Sequence, residues 1–287
     1  MRRWAALAVA VLLASVPVAA NPAAAQAGAP DPARAIKRQF RNEHGVRIAE
    51  TIRHHYGRKP KSTTGGFRVT GGLQFGPSGP VAADFTWWNL PRSKSEKPDR
   101  YRVIRVGKDA YDAASVYPGP VPDGKKWIRF QNKHRGLMGR DLAEDVSLQP
   151  FDVYDATTMR TLLKRSASEP VSGGLLHRGV MSYRELSEVS KGAYNWVSGR
   201  PVGRKSKGKV SWRLWTGRDG LPERLITVDT MGDGKDPLIR WIDTRYTDWG
   251  FRLVVTAPPA DEVIDEDELM EYSREQNADA PTDSGNT

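Results

Sequence analysis

The alternation of apolar and polar positions is clearest near the end of the chain, in the segment WIDTRYTDWGFRLVVTAPP over Trp241–Pro259. Residues alternate with a period of two on both sides of Asp248-Trp249-Gly250, and this period is typical of β-strands. Gly250 tolerates the positive φ that a tight turn or bulge needs and Asp248 can hydrogen-bond the backbone, so the triplet predicts a turn or a sharp kink of the chain. Pro258 and Pro259 cannot donate to a ladder and should end it.

The same period predicts more strands upstream, separated by glycine-rich and proline-rich turn signals. These strands cover residues 46–56, 67–75, 81–90, 101–106, 108–113, 125–130, about 174–183, 210–216 and 222–228. Helical spacing predicts helices over about 31–44, about 155–168 and 185–190. Many antiparallel strands with two or three helices favour an α+β fold in a single domain.

The start of the chain has the pattern of a secretory signal peptide. Arg2 and Arg3 precede an apolar run from Ala5 to Ala20, which is shorter than a membrane-spanning helix requires, and small residues follow. We expect cleavage near Ala27, with Ala20 as the alternative site. The predicted organisation is a signal peptide over 1–27, a linker over 28–32, one domain over 33–263 and an acidic, disordered tail over 264–287. The protein should then be exported to the cell envelope or secreted.

Charge is distributed unevenly along the chain. The formal net charge is +10, of which residues 1–27 carry +2 and residues 261–287 carry −9, leaving +17 for residues 28–260. A body this basic should be attracted to anionic surfaces such as phospholipid headgroups or acidic wall polymers. The acidic tail can screen the body in cis. The chain has no cysteine, which excludes disulfides, thiol catalysis, thiolate metal sites and lipid attachment at cysteine.

Motifs that carry chemistry are absent from the sequence. It contains no HExxH, no GxxxxGK[ST] and no GxGxxG pattern, and no cofactor or metal site is predicted. Glu43, Glu50 and Asp84 lie near predicted strands, which is too little to assign acid–base roles. We therefore predict no enzyme, although a site assembled from distant strands would leave no trace in the sequence.

Tryptophans occur on both phases of the predicted strands. Trp87 and Trp88 must point to opposite faces, as must Trp212 and Trp215. Filling the core is the ordinary role of such residues. Because two or three short helices cover little of a sheet with two apolar faces, one concave face is also a candidate for an apolar ligand. The candidate lining residues are Trp87, Ile104, Trp127, Leu162, Trp212, Leu214 and Trp241.

Several segments together resemble a known family. The stretches LQFGPSGPVAADFTWW, LWTGRDGLPERL and RYTDWGFRLVVTAPPADEV, within Ala33–Val263, resemble secreted actinobacterial envelope proteins of the LolA-like group related to LppX and LprG. The resemblance implies a half-barrel, a large curved antiparallel sheet with helices covering its concave face, and an acyl-chain cavity in members that carry lipids. It also implies a non-catalytic protein. Many members are lipoproteins, whereas this chain has no cysteine to acylate.

Two functional hypotheses follow. The first is an exported envelope protein that binds an apolar or amphiphilic ligand, as a lipid carrier or sensor. The alternative is an interaction or scaffold module whose basic surface docks on anionic wall polymer, membrane or a partner protein. For that surface the sequence indicates the loop PVGRKSKGK, with Arg204, Lys205, Lys207 and Lys209, although such a loop is also an ordinary solvated connection. We expect a monomer and no nucleic-acid partner, because an exported protein does not ordinarily meet nucleic acid.

Overall fold

A computed structural model describes residues 30–57, 65–90, 99–131, 147–189, 194–195, 200–201, 207–231 and 236–278. The predicted signal peptide lies outside these residues. The helices are α1 Pro32–Lys37, α2 Ala156–Lys164, α3 Tyr183–Val189 and α4 Glu266–Ala278. The strands are β1 His44–Tyr56, β2 Gly65–Gly76, β3 Gly79–Asn89, β4 Arg100–Val106, β5 Asp109–Ala113, β6 Trp127–Gln131, β7 Ala167–Val171, β8 Gly174–Ser182, β9 Tyr194–Asn195, β10 Arg200–Pro201, β11 Gly208–Gly217, β12 Pro222–Met231, β13 Leu238–Arg252 and β14 Val263–Asp265.

Twelve of the strands form one open sheet in the order β14-β6-β5-β4-β3-β2-β1-β13-β12-β11-β8-β7. All neighbours in it are antiparallel except β14 and β6, which run parallel. Strand β1 lies near the middle and pairs with β13 on one side and β2 on the other. A large open sheet with few helices is consistent with the half-barrel that the sequence predicted.

One face of the sheet carries the core, and we call it the core face. In β1, Val46, Ile48 and Ile52 are buried, and the odd-numbered residues that alternate with them point to the opposite, outer face. Helices α1, α2 and α3 contribute buried residues to the same apolar cluster, including Ile36, Met159 and Leu186. The amphipathic spacing of these helices explains why they pack there.

The Asp248-Trp249-Gly250 triplet forms a bulge, at the place where the sequence predicted a turn or a sharp kink. Strand β13 continues through it, but the register with β1 shifts, so that three residues of β13 lie opposite Val46. Asp248 and Gly250 both have positive φ, at 52° and 80°. The extra residues turn Trp249 onto the core face, where its ring stacks on Phe75 at 6.0 Å with an interplanar angle of 7°.

Some predicted boundaries were wrong. Helix α1 ends at Lys37 rather than near residue 44, because the chain then turns and packs Phe40 against Phe75 with ring centroids 5.3 Å apart. The second predicted helix ends at Lys164, and the residues after it form edge strand β7, which the sequence did not suggest. No helix among the described residues combines the length and the apolar character that crossing a membrane requires.

The segment from residue 264 was predicted to be disordered, whereas the structure orders it as far as residue 278. Ile264 of β14 and Leu269 of α4 are buried against Ile128 of β6 in a small second core. Asp265 accepts two hydrogen bonds from Arg129, at 2.5 and 2.7 Å. Apolar contacts and complementary charge on β6 thus hold a segment whose acidic composition had suggested a solvated tail.

Candidate ligand-binding site

Four of the seven predicted lining residues lie on the core face and are packed by the chain itself. Trp87, Leu162, Trp212 and Leu214 are all less than 10% exposed within the main core. Trp87 stacks on Tyr101, and Trp212 meets Phe151 edge to face with centroids 5.9 Å apart. These contacts account for the burial of the four side chains without a ligand.

The other three residues, Ile104, Trp127 and Trp241, lie on the outer face. Ile104 pairs with Asp84 and Tyr111, and Trp127 lies beneath the guanidinium of Arg102. The seven residues therefore do not line one common cavity. The sequence predicted that residues alternate between the two faces of each strand, but it did not indicate which of the two sets faces the core.

A segment over residues 147–154, which we call the strap, fills the centre of the core face. Its apolar side chains Leu148, Phe151, Val153 and Tyr154 are buried in the main core. The sequence lacked a clean period before residue 148, and no element was predicted there. The strap therefore occupies part of the space in which the sequence suggested an apolar ligand.

Glu50 of β1 fixes the strap to the sheet. Its carboxylate accepts hydrogen bonds from the Ser147 hydroxyl at 2.5 Å, the Leu148 amide at 2.8 Å and the Thr244 hydroxyl at 2.6 Å. Burial raises the pKa of Glu50, and these hydrogen bonds and the charge of Arg240 oppose that rise. Glu50 is 1% exposed, so in this structure its partners are groups of the chain itself.

The same polar network reaches the neighbouring strands. Gln149 of the strap donates through Nε2 to Thr244 Oγ1 at 2.7 Å and to the Leu225 carbonyl at 3.2 Å. Its Oε1 accepts from Thr227 Oγ1 at 2.8 Å. These bonds join β1, β12 and β13 through one loop, which makes the network a structural clamp.

A buried ion pair lies farther along the core face. Arg240 of β13 and Asp229 of β12 are 2% and 0% exposed, and Arg240 Nε donates to Asp229 Oδ2 at 2.9 Å. Asp229 lies in β12, where its carboxylate is paired with a guanidinium in the core. No cluster of three or more potential metal ligands occurs among the described residues.

A groove of about 450 Å³ crosses the outer face over β8, β11, β12 and β13. Its apolar lining comes from Val180, which is 59% exposed, together with Ile226, Val228 and Trp241. Arg178 and Arg213 stand beside these residues. Strand register explains the arrangement, because Val180, Ser211, Val228 and Trp241 form one row across four strands. The small Ser211 leaves the depression between its larger neighbours.

The predicted basic surface is only partly described. Arg204 and Lys205 lie outside the described residues, and Lys207 and Lys209 are exposed at the start of β11. Lys209 of β11 lies opposite Ser182 of β8 and Thr230 of β12, on the outer face beyond the groove. The binding role of this loop stays a prediction.

No family model matches the chain, and no curated protein matches it. Similar solved structures include a LolA superfamily protein from Nitrosomonas europaea, at 10% identity and a TM-score of 0.25, covering 79% of this chain and 93% of that one. A DUF1329 family protein from Desulfovibrio piger aligns at 11% identity and a TM-score of 0.30, covering 79% and 92%. A DUF1849 protein from Brucella abortus aligns at 11% identity and a TM-score of 0.21, covering 73% of this chain and 100% of that one. At these TM-scores, membership of the LolA-like family stays a prediction from the sequence.

Proposed function

We propose that this chain is an exported, non-catalytic envelope protein that binds an amphiphilic molecule in the groove on the outer face of its sheet. The observation that carries the proposal is the pairing of an apolar lining, Val180, Ile226, Val228 and Trp241, with flanking guanidinium groups. Such a groove complements a molecule with an apolar chain and an anionic head. Its volume of about 450 Å³ lies within the usual range for small-molecule sites.

The energetics favour a ligand with a chain. Each buried CH₂ group contributes about 0.8 kcal/mol, so a few methylenes on this lining give measurable binding without any catalytic residue. Arg213 forms no ion pair in the described part of the chain and is available to an anionic head, whereas Arg178 is paired with Glu169 at 2.5 Å. The site differs from the cavity expected from the sequence, since four of the residues proposed for that cavity are packed in the main core.

The experiment measures uptake of a fluorescent long-chain fatty acid by the mature chain, below the concentration at which the probe forms micelles. Val180→Glu puts a carboxylate at the groove and should weaken binding at least tenfold, or by about 1.4 kcal/mol, through desolvation and repulsion of the anionic head. Val254→Glu is the matched control, because Val254 is 53% exposed and lies outside the groove lining. Absence of uptake by the wild type, or equal losses in both variants, would contradict the proposal.

The alternative function, docking through a basic surface, is favoured by a different observation. Several exposed arginines on the outer face have no counter-charge among the described residues.

A further inference from the structure

Four exposed arginines of the outer face are available for intermolecular contacts. Arg53 lies on β1, Arg68 on β2, Arg213 on β11 and Arg245 on β13. Among the residues that the structure describes, none of the four has an ion-pair partner or a side-chain hydrogen bond. Two carboxylates of the same face, Asp243 and Asp84, are already occupied by other arginines and do not neutralise the four.

The occupied carboxylates can be identified. Asp243 accepts two hydrogen bonds from Arg224, at 2.8 and 2.6 Å, and Asp84 accepts two from Arg102, at 2.7 and 2.5 Å. Because both carboxylates are held bidentately, they are poorly placed to neutralise further cations nearby.

Strand register joins the four arginines to the groove. Arg53 lies directly opposite Trp241, and Arg213 lies opposite Ile226, so both border the groove lining. Arg68 lies opposite Thr51, two residues from Arg53 on the same face, and Arg245 follows Trp241 by four residues on β13. The arginines thus border one continuous patch, which we call the arginine patch.

Half-buried tryptophans accompany the arginine patch. Trp88, Trp215 and Trp241 all point to the outer face and are neither buried nor fully exposed. The guanidinium of Arg100 lies 5.6 Å from the ring of Trp88, and that of Arg224 lies 5.4 Å from the ring of Trp215. Indole rings with one apolar side and one polar edge are the residues that proteins place at membrane–water interfaces.

We infer that the arginine patch docks on an anionic lipid bilayer. Unpaired guanidinium groups attract lipid phosphates, and partly exposed indoles together with Val180 offer apolar area to the headgroup boundary. A hydrophilic polyanion would use the arginines and leave the apolar side chains without a role, so this combination favours lipid. The inference rests on the proposed function, because the groove lies within the patch and docking would bring it to the source of an amphiphilic ligand.

The test measures cosedimentation of the mature chain with sucrose-loaded vesicles of phosphatidylglycerol and phosphatidylcholine in equal amounts. Each basic residue near an anionic surface strengthens partition into the vesicles by about fivefold, so the triple variant with Arg53, Arg68 and Arg245 changed to Gln should bind about 100-fold more weakly. These three positions do not line the groove, so fatty-acid uptake should be unchanged in this variant.

The matched control changes Lys37, Arg38 and Lys164 to Gln. This variant loses the same charge from exposed positions of α1, its C-cap and α2, and the two helices pack on the core face. Docking through one face predicts nearly unchanged partition for it, because charges beyond the Debye length of about 10 Å at 0.1 M salt contribute little. Equal losses in the two triple variants, or no loss in either, would overturn the inference while leaving the fatty-acid result intact.

A second measurement distinguishes lipid from a soluble polyanion. Vesicles with brominated acyl chains should quench the wild type more than Trp241→Phe, because Trp241 would reach the headgroup boundary. Equal quenching of the two, together with tight binding of dextran sulfate that depends on the same three arginines, would assign the patch to an anionic polymer and overturn the lipid inference.

Discussion

Thr244 Oγ1 donates a 2.6 Å hydrogen bond to Glu50 Oε2, although the two residues are 194 positions apart in the chain. Both side chains are almost completely buried on adjacent strands, and Glu50 also accepts from two groups of the strap. A carboxyl in an apolar core is costly unless donors satisfy it. Here the donors belong to the segment that fills the core face, so one residue of β1 determines how the strap is held.

We predict that Glu50→Leu lowers the free energy of unfolding by about 2–4 kcal/mol, because the Leu148 amide and two hydroxyls would lose their acceptor inside the core. Hydrogen exchange of the Leu148 amide should be faster in Glu50→Leu than in the wild type. Glu223→Leu, at an exposed position of β12, should change stability by no more than about 0.5 kcal/mol. Denaturant unfolding of the two variants checks this, and equal stability would argue against the clamp.

Asp112 on the core face of β5 should make stability depend on pH. Burial raises the pKa of Asp112 to about 6, against the opposing charge of Arg105. The folded state then binds a proton more tightly than the unfolded state, whose Asp pKa is near 4, so this contribution falls as pH rises from about 4 to about 6. A pKa difference of one unit corresponds to about 1.4 kcal/mol, so a difference of about two units changes the free energy of unfolding by about 3 kcal/mol.

The measurement is the difference in unfolding free energy between the wild type and Asp112→Asn at several pH values. The difference should decline between pH 4 and 6 and stay level above pH 7, since Asn cannot titrate. A flat difference over the lower range would show that Asp112 titrates normally in the folded protein.

Gly179 is expected to be intolerant of a side chain. A Cβ atom there would lie 2.0 Å from the ring of Trp212, which is 3% exposed and cannot move outward. Gly179→Ala should therefore lower stability by about 1–3 kcal/mol, the usual cost of overpacking a core. In a double-mutant cycle, Trp212→Leu should remove most of the additional cost. If the two losses simply add, the contact does not constrain this part of the sheet.

How far the sequence predicts this molecule depends on the range of the interactions. Local alternation predicted most strands, and the Asp248-Trp249-Gly250 triplet predicted a turn or kink at the place where β13 has its bulge. Glu50 continues the phase of Val46, Ile48 and Ile52, so a polar residue on an apolar phase is the local signal of the buried network. Its partners lie 97 and 194 positions away, and no local pattern identifies them.

The candidate site was less accessible to prediction for the same reason. Opposite orientations of Trp87 and Trp88 were predicted and are observed. Which face would be packed depended on the strap, whose docking follows from the distant hydrogen bonds of Glu50 and Gln149. The groove near Val180 depends on four strands in register, which only the assembled sheet brings together.

The second core, formed by β6, β14 and α4, should open independently of the main one. Leu269 of α4 is 2% exposed and packs with Ile128 and Ile264, whereas its neighbour Met270 is 46% exposed. Leu269→Ala should weaken this unit by about 2–5 kcal/mol, while Met270→Ala should have little effect. Because the two apolar clusters are separate, hydrogen exchange should accelerate in β6 and α4 and remain unchanged in β1 and β13. Uniform acceleration across the whole sheet would instead mean that the acidic C-terminal segment is an integral part of one cooperative fold.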